Sequence, residues 1–154
     1  MEKAIEKSVI ITLDLGTMTG WAARKSDGSI VSGVVNLKPR RFDGGGMRFL
    51  KFRRWLDEMF IKYSPIYSLF FEEVRAHKGV DAAHVYGGLL AVLTAWCEEN
   101  NIPYQGVGVG AIKKHITGKG QASKDEVIKA IEAKGHAPKD HNEADALALL
   151  YYSI

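Results

Sequence analysis

The stretch Val9-Ile10-Ile11-Thr12-Leu13-Asp14-Leu15-Gly16-Thr17-Met18-Thr19-Gly20-Trp21-Ala22 leaves the chain few ways to fold. An apolar run of strand length ends in a carboxylate, turns through glycine and resumes as a second strand. A carboxylate carried to the end of a buried strand needs a cation, a hydrogen-bond donor or a metal beside it. Gly16 and Gly20 permit backbone conformations that a side chain would block. Asp14 therefore stands on rigid backbone at the mouth of a sheet, where sites tend to lie. Capping the turn is its alternative role.

A length of 154 residues fits one domain with a real core, and 46% hydrophobic with 25% charged residues describes a globular chain rather than a disordered one. No apolar run in the sequence approaches the roughly 20 residues that span a bilayer. Residues 1–7 are charged and lack the apolar core of a leader. The single cysteine, Cys97, forms no internal disulfide and suits a reducing compartment. The expectation is a cytoplasmic protein with no membrane partner.

Net charge is only +3, but its distribution is uneven. Residues 38–54 hold seven basic side chains (Lys38, Arg40, Arg41, Arg48, Lys51, Arg53, Arg54) against one acid, Asp43. A second basic group follows at Lys113, Lys114, Lys119 and Lys124, with His115 beside it. Such groups can track a phosphate backbone, or be no more than solvated helix faces.

The spacing predicts strands over 8–14, 20–26 and 29–37, the last two joined at Asp27-Gly28 as a hairpin. An amphipathic helix follows over 47–63, ended before Pro65. A fourth strand over 66–74 again finishes in acid, at Glu72-Glu73. Residues 81–100 read as a long helix whose Gly87-Gly88 pair costs about 1 kcal/mol per glycine relative to alanine, which implies a close contact within the fold or with a second copy. A fifth strand runs over 102–109, and Gly106, Gly108 and Gly110 read as loop glycines. No GxGxxG follows a strand, and Gly118-Lys119-Gly120 makes no P-loop, so no nucleotide cofactor is expected. Ser123-Lys124-Asp125-Glu126 is a capping box opening a helix to about residue 134. The last helix spans about 142–153, with Asn142 as N-cap and Asp145 at the third helical position.

Right-handed crossovers place the first, fourth and fifth strands side by side and parallel. Asp14 and Glu72 then end neighbouring strands, which lie about 5 Å apart, and two such carboxylates are within reach of one divalent ion. Glu73 competes with Glu72 for this place, and strand alternation sends the two to opposite faces. Asn142 and Asp145 share a face of the last helix. An all-oxygen set selects Mg²⁺ or Mn²⁺, and no Cys/His zinc spacing is present.

Four motifs, in order, resemble the RuvC-type Holliday-junction resolvases of the RNase H-like nuclease superfamily. They are Asp-Leu-Gly-Thr-Met-Thr-Gly-Trp-Ala from Asp14, Phe-Glu-Glu-Val around Glu72, Lys113 with the 117–124 segment, and Glu143-Ala144-Asp145-Ala146-Leu147. The resemblance implies a five-stranded mixed sheet (three antiparallel strands, then two parallel) flanked by helices. It matches Asp14, Glu72 and Asp145 to the family's catalytic acids, Asn142 to a position usually Asp or His, and Lys113 and Lys124 to basic positions serving the scissile phosphate. Two departures stand out: the first turn is about one residue shorter than in bacterial housekeeping members, and Asn142 lacks a carboxylate, so its amide oxygen, Glu143 or Asp140 takes that role. Both departures resemble phage and prophage members. The family's chemistry is phosphodiester hydrolysis with two divalent ions per site, on branched DNA, by a homodimer. Arg40, Arg41, Arg48, Lys51, Lys114 and Lys119 are then candidate DNA-binding residues, and the 84–93 helix segment the candidate interface. Rival readings are a nuclease of forks or flaps, a non-catalytic junction-binding module, and the phosphate loop of sugar kinases and chaperone ATPases, which need two such domains.

Overall fold

The sheet is built outwards from Val9–Asp14 (β1), the most apolar strand of the chain. A computed structural model describes residues 8–154; residues 1–7, on which the reading against a leader rests, lie outside them. Met18–Arg24 (β2) and Ile30–Asn36 (β3) continue from β1 as an antiparallel meander. Ile66–Glu73 (β4) and Tyr104–Gly108 (β5) add in parallel on the other side, giving the order β3-β2-β1-β4-β5. This is the arrangement that right-handed crossovers require, and it sets Asp14 beside the end of β4.

Helices cover both faces. Met47–Tyr63 (α1) and Val80–Glu99 (α2) pack on one side, and Val109–Thr117 (α3), Lys124–Glu132 (α4) and His141–Ser153 (α5) on the other. Strand alternation divides the core accordingly. Ile11, Leu13 and Leu69 face α1 and α2, while Ile10 and Ala22 face α5. Thr12 shares the α5 face, and its buried hydroxyl donates to the Ala146 carbonyl at 2.7 Å, fixing α5 across β1. Asp14, two residues on, projects from the same face.

Gly20, paired with Asp14 across β1 and β2, decides how closely α5 can lie. A Cβ there would sit 1.9 Å from the Asn142 carbonyl oxygen. Gly88 likewise admits the Phe49 ring, so the α1–α2 contact explains one glycine of the pair, while Gly87 faces open space. α2 is long and apolar enough to cross a membrane by length and composition, although no such run was evident in the sequence. Its inward residues Leu89, Leu93, Trp96 and Cys97 lie in the core, while most of the helix is not buried within this chain.

Three expectations need correction. Gly106 and Gly108 belong to β5 and Gly110 to α3, rather than to a loop. Gly106 is needed where a Cβ would press on the Phe71 ring at 2.9 Å, and α3 went unread because the alternating glycines mask its start. The last helix begins one residue early, with Asp140 as N-cap in place of Asn142. The Asp140 carboxylate accepts from the Glu143 N–H at 2.9 Å, so Glu143, not Asp145, holds the third helical position. By contrast Ser123 caps α4 as read, accepting from the Glu126 N–H.

Gly20→Ala is expected to cost about 3 kcal/mol or more, beyond the usual overpacking range because the clash is with backbone. Thermal melting measures this, and divalent-ion binding should weaken with it, since α5 must move away from β1.

Candidate metal centre

Asp14 ends β1, Glu72 lies near the end of β4, and Asp145 sits one turn into α5. One carboxylate oxygen from each lies within 4.8 Å of the other two, and all three side chains are half-buried. Residues 58 and 73 positions apart in the chain thus meet because two parallel strands end together and α5 lands on Gly20. Glu72 shares its face with Phe70, which packs towards α5, whereas Glu73 turns the other way and pairs with Arg75 at 3.7 Å.

Burial and mutual repulsion make this cluster a poor place for negative charge. Burial first, then the Glu72 and Asp145 charges, holds the Asp14 carboxyl well above the usual range. Burial also raises Glu72, against the opposing effects of a hydrogen bond with Asp14 and the nearby Lys113 charge. Both carboxyls are therefore drawn towards their protonated forms in the absence of a cation. Burial, then Glu72, pushes Asp145 up to about 6, with His141, Lys113 and Lys124 pulling the other way. A divalent ion would remove the repulsion, and three carboxylate oxygens at this spacing suit Mg²⁺ or Mn²⁺.

The other candidates divide. Asn142 is one turn before Asp145; its amide nitrogen points to Asp140 at 3.4 Å, leaving the amide oxygen available. Glu143 is 5% exposed and faces away: its oxygens accept from the Ser32 hydroxyl at 2.8 Å and the Lys139 N–H at 3.1 Å, so it braces α5 against β3 instead of completing the cluster. Asp140 is held by its capping bond, yet its charge reaches Asp14. Lys113 is half-buried on α3 and acts on both Glu72 and Asp145. Lys124 opens α4, exposed, and acts on Asp145.

Of the basic candidates, Arg40, Arg41, Lys114 and Lys119 are exposed. The Arg41 guanidinium lies 5.4 Å from the ring centre of Phe42, which is 92% exposed. Lys119 pairs with Glu126 at 3.6 Å. Lys51 is drawn inwards, donating to the Lys38 carbonyl at 3.1 Å and pairing with Asp43 at 3.7 Å, so it braces the 38–46 loop. Arg48 lines a cavity beside the 15–17 turn.

Two residues escaped the sequence reading. His141 lies four residues before Asp145, a spacing that could have revealed it. Tyr86 could not have been found: its hydroxyl donates to the Glu72 carbonyl at 2.9 Å and accepts from the Val74 N–H at 3.1 Å, clamping the end of β4 to α2.

No protein-family model and no curated protein sequence matches the chain. Solved structures do. The chain superposes on Thermus thermophilus RuvC in complex with a Holliday junction substrate with a TM-score of 0.77 at 21% identity, covering 94% of this chain and 92% of that one. A second Thermus thermophilus RuvC structure gives 0.71 at the same identity and coverage. The yeast mitochondrial Holliday junction resolvase gives 0.62 at 14% identity, covering 95% of this chain and 77% of that one. The fold is RNase H-like. Within that class it is the fold of the RuvC-type resolvases, as the sequence motifs led one to expect.

Two outcomes follow for the cluster. Burial holds Asp145 at about 6 in the fold against an ordinary aspartate value of 3.8, so the unfolded chain loses its proton first. Metal-free stability is then full below about pH 4 and falls as pH rises through about 6, with Asp14 and Glu72 acting in the same direction. Saturating Mg²⁺ or Mn²⁺ should raise the melting temperature by several degrees near neutral pH and leave it unchanged near pH 4. Tyr86→Phe keeps the ring but loses the clamp. It should weaken Mn²⁺ binding several-fold while costing only about 1 kcal/mol in stability, by calorimetric titration and melting.

Proposed function

We propose that this chain is a divalent-metal-dependent endonuclease that resolves four-way DNA junctions. The observation that carries the reading is the convergence of Asp14, Glu72 and Asp145 at one sheet edge, in a fold shared with a RuvC that was solved with a Holliday junction. Asp14, Glu72 and Asp145, with the Asn142 amide oxygen, would hold Mg²⁺ or Mn²⁺, two ions per site. When bound, such ions lower the pKa of water and stabilise charge on a leaving oxygen.

The chain's own residues do the rest. Asp14, whose carboxyl feels both the Glu72 and Asp145 charges, would be a ligand common to the ions held there. Lys113 and Lys124 offset the negative charge of the acids and offer donors to a phosphate drawn to them. Arg40, Arg41, Lys114 and Lys119 are exposed cations that would hold DNA through its backbone, with Arg48 a further candidate and Lys51 bracing the 38–46 loop. Backbone contacts position without reading sequence, which suits recognition by junction shape.

A four-way junction needs two cuts, and the described residues hold one such cluster, so the acting unit is a homodimer. The outer face of α2 supports that reading. Val80 is 69% exposed, and Ala83, Gly87 and Ala91 follow along the same exposed face. Gly87 would let a second helix approach closely, as Gly88 does for Phe49. A single buried thiol, pushed up to about 12 by burial, fits work in a reducing cytoplasm.

Asp14→Asn should abolish Mg²⁺-dependent cutting of a four-way junction and leave binding nearly intact. The comparison to run is four-way, three-way and linear duplex DNA with each protein. Paired symmetric nicks in the four-way substrate alone support the proposal. Preferential cutting of forks would make the chain a nuclease of other branched DNA, and binding without any cutting would make it a junction-binding module.

A further inference from the structure

Across the sheet edge from the carboxylates lies a cavity of about 410 Å³. Its walls are the 15–17 turn that follows Asp14, Arg48 of α1, His77 of the loop after β4, and Asp81 and Tyr86 of α2. It adjoins the metal centre twice over. Leu15 is the next residue after Asp14, and Tyr86 is the residue whose hydroxyl holds the Glu72 carbonyl.

Two nitrogens here have no partner. Arg48 Nε and His77 Nε2 are shut off from water and make no hydrogen bond. An orphan donor of this kind costs about 1–3 kcal/mol, and two in one cavity are unusual. Asp81 lines the same cavity, yet among the ion pairs of the described residues none joins it to Arg48. The His77 ring is instead held against Tyr86, with centroids 5.0 Å apart. To serve a ligand in the cavity, either side chain would turn about its outer torsions and bring its N–H to the space the residue lines.

We infer that this cavity is a second phosphate subsite, taking a phosphodiester of the cut strand next to the scissile one. The inference rests on the nuclease reading for its substrate and on the cavity alone for its chemistry. Arg48 supplies a permanent charge with fixed donors, and His77 supplies one N–H from its Nε2. The strand passes over the ends of β1 and β4, from the α5 side, where the acids lie, to the α1–α2 side. Asp81 opposes the anion and keeps its affinity modest, so a product strand can leave.

The experiment uses the full chain and junctions in which single phosphates flanking the cut are replaced by neutral methylphosphonates. In the wild type, one such replacement next to the cut should slow cutting by about tenfold. In Arg48→Ala and in His77→Ala the same replacement should cost little more, because its partner is already gone. Arg48→Ala should lower the slope of log affinity against log salt by about one, while Arg48→Lys should restore part of the cutting rate. Asp81→Asn should tighten junction binding a few-fold.

A second readout needs no cutting. Tetrathymidylate, and separately inorganic phosphate, are titrated while the His77 ring nitrogens are followed by NMR. Shifts in the wild type that vanish in Arg48→Ala support the subsite, even if the protein proves not to cut junctions. Unmoved His77 signals overturn the subsite, and so does a methylphosphonate penalty that is equal in all variants. Loss of cutting on every junction, with the His77 shifts retained, would fault the resolvase reading and leave the subsite standing.

Discussion

The approach of α5 to Gly20 is the contact on which the site depends. β1 and β4 bring two acids to one edge of the sheet, as any pair of neighbouring parallel strands could. The third acid comes from a helix, and a helix usually lies about 10 Å above a sheet. Here the Asn142 carbonyl occupies the space of a missing Cβ, and the Thr12 hydroxyl fixes the Ala146 carbonyl one turn further along the helix. Glu143 completes the hold by bonding Ser32 on β3 and the backbone before the helix. Three attachments to three successive strands leave α5 one position, and in that position Asp145 faces Asp14 and Glu72.

That placement is electrostatically unfavourable without a cation. Each acid is raised chiefly by burial, and the opposing charges, Lys113, Lys124 and His141, act from the periphery. A fold that wanted only stability would have put apolar side chains at the ends of β1 and β4. Retaining carboxylates there, braced so closely, is the signature of a site built to be completed from outside. The same bracing explains why Glu143, though it neighbours the catalytic candidates in sequence, is itself structural: its carboxylate is consumed in holding the helix.

Much of this was legible in the residues. β1 is a continuous apolar run because both its faces are covered, and the acid at its end therefore stands out. Strand order followed from the crossover rule and set Asp14 beside the Glu72-Glu73 pair, and the motif around Glu72 chose between those two acids. What failed did so for identifiable reasons. Asp140 and Asn142 are both good caps two residues apart, and only the bond from the Glu143 N–H distinguishes them. The glycines at 106, 108 and 110 looked like a loop because sequence reports flexibility, not the Phe71 ring that demands a bare backbone. Lys51 read as a free cation because its partners, Asp43 and the Lys38 carbonyl, lie across a loop whose path the sequence does not give. Tyr86 left no pattern at all, since its hydroxyl meets β4 backbone, whose identity is independent of side chains.

α2 carries this logic further, because its two faces answer to different demands. Its inner face is core, and through Tyr86 it grips the strand that bears Glu72. Its outer face is apolar, small and uncovered, with Gly87 open beside the buried Gly88. Any partner settling on that outer face would press on a helix whose far side holds the backbone of Glu72. A shift of even a fraction of an ångström at Tyr86 would alter the spacing between Glu72 and Asp14, on which divalent-ion binding depends steeply. A dimer formed through α2 would then do more than place two sites on one junction. It would couple assembly to the metal centre, so that each site reaches its working geometry when its counterpart is present.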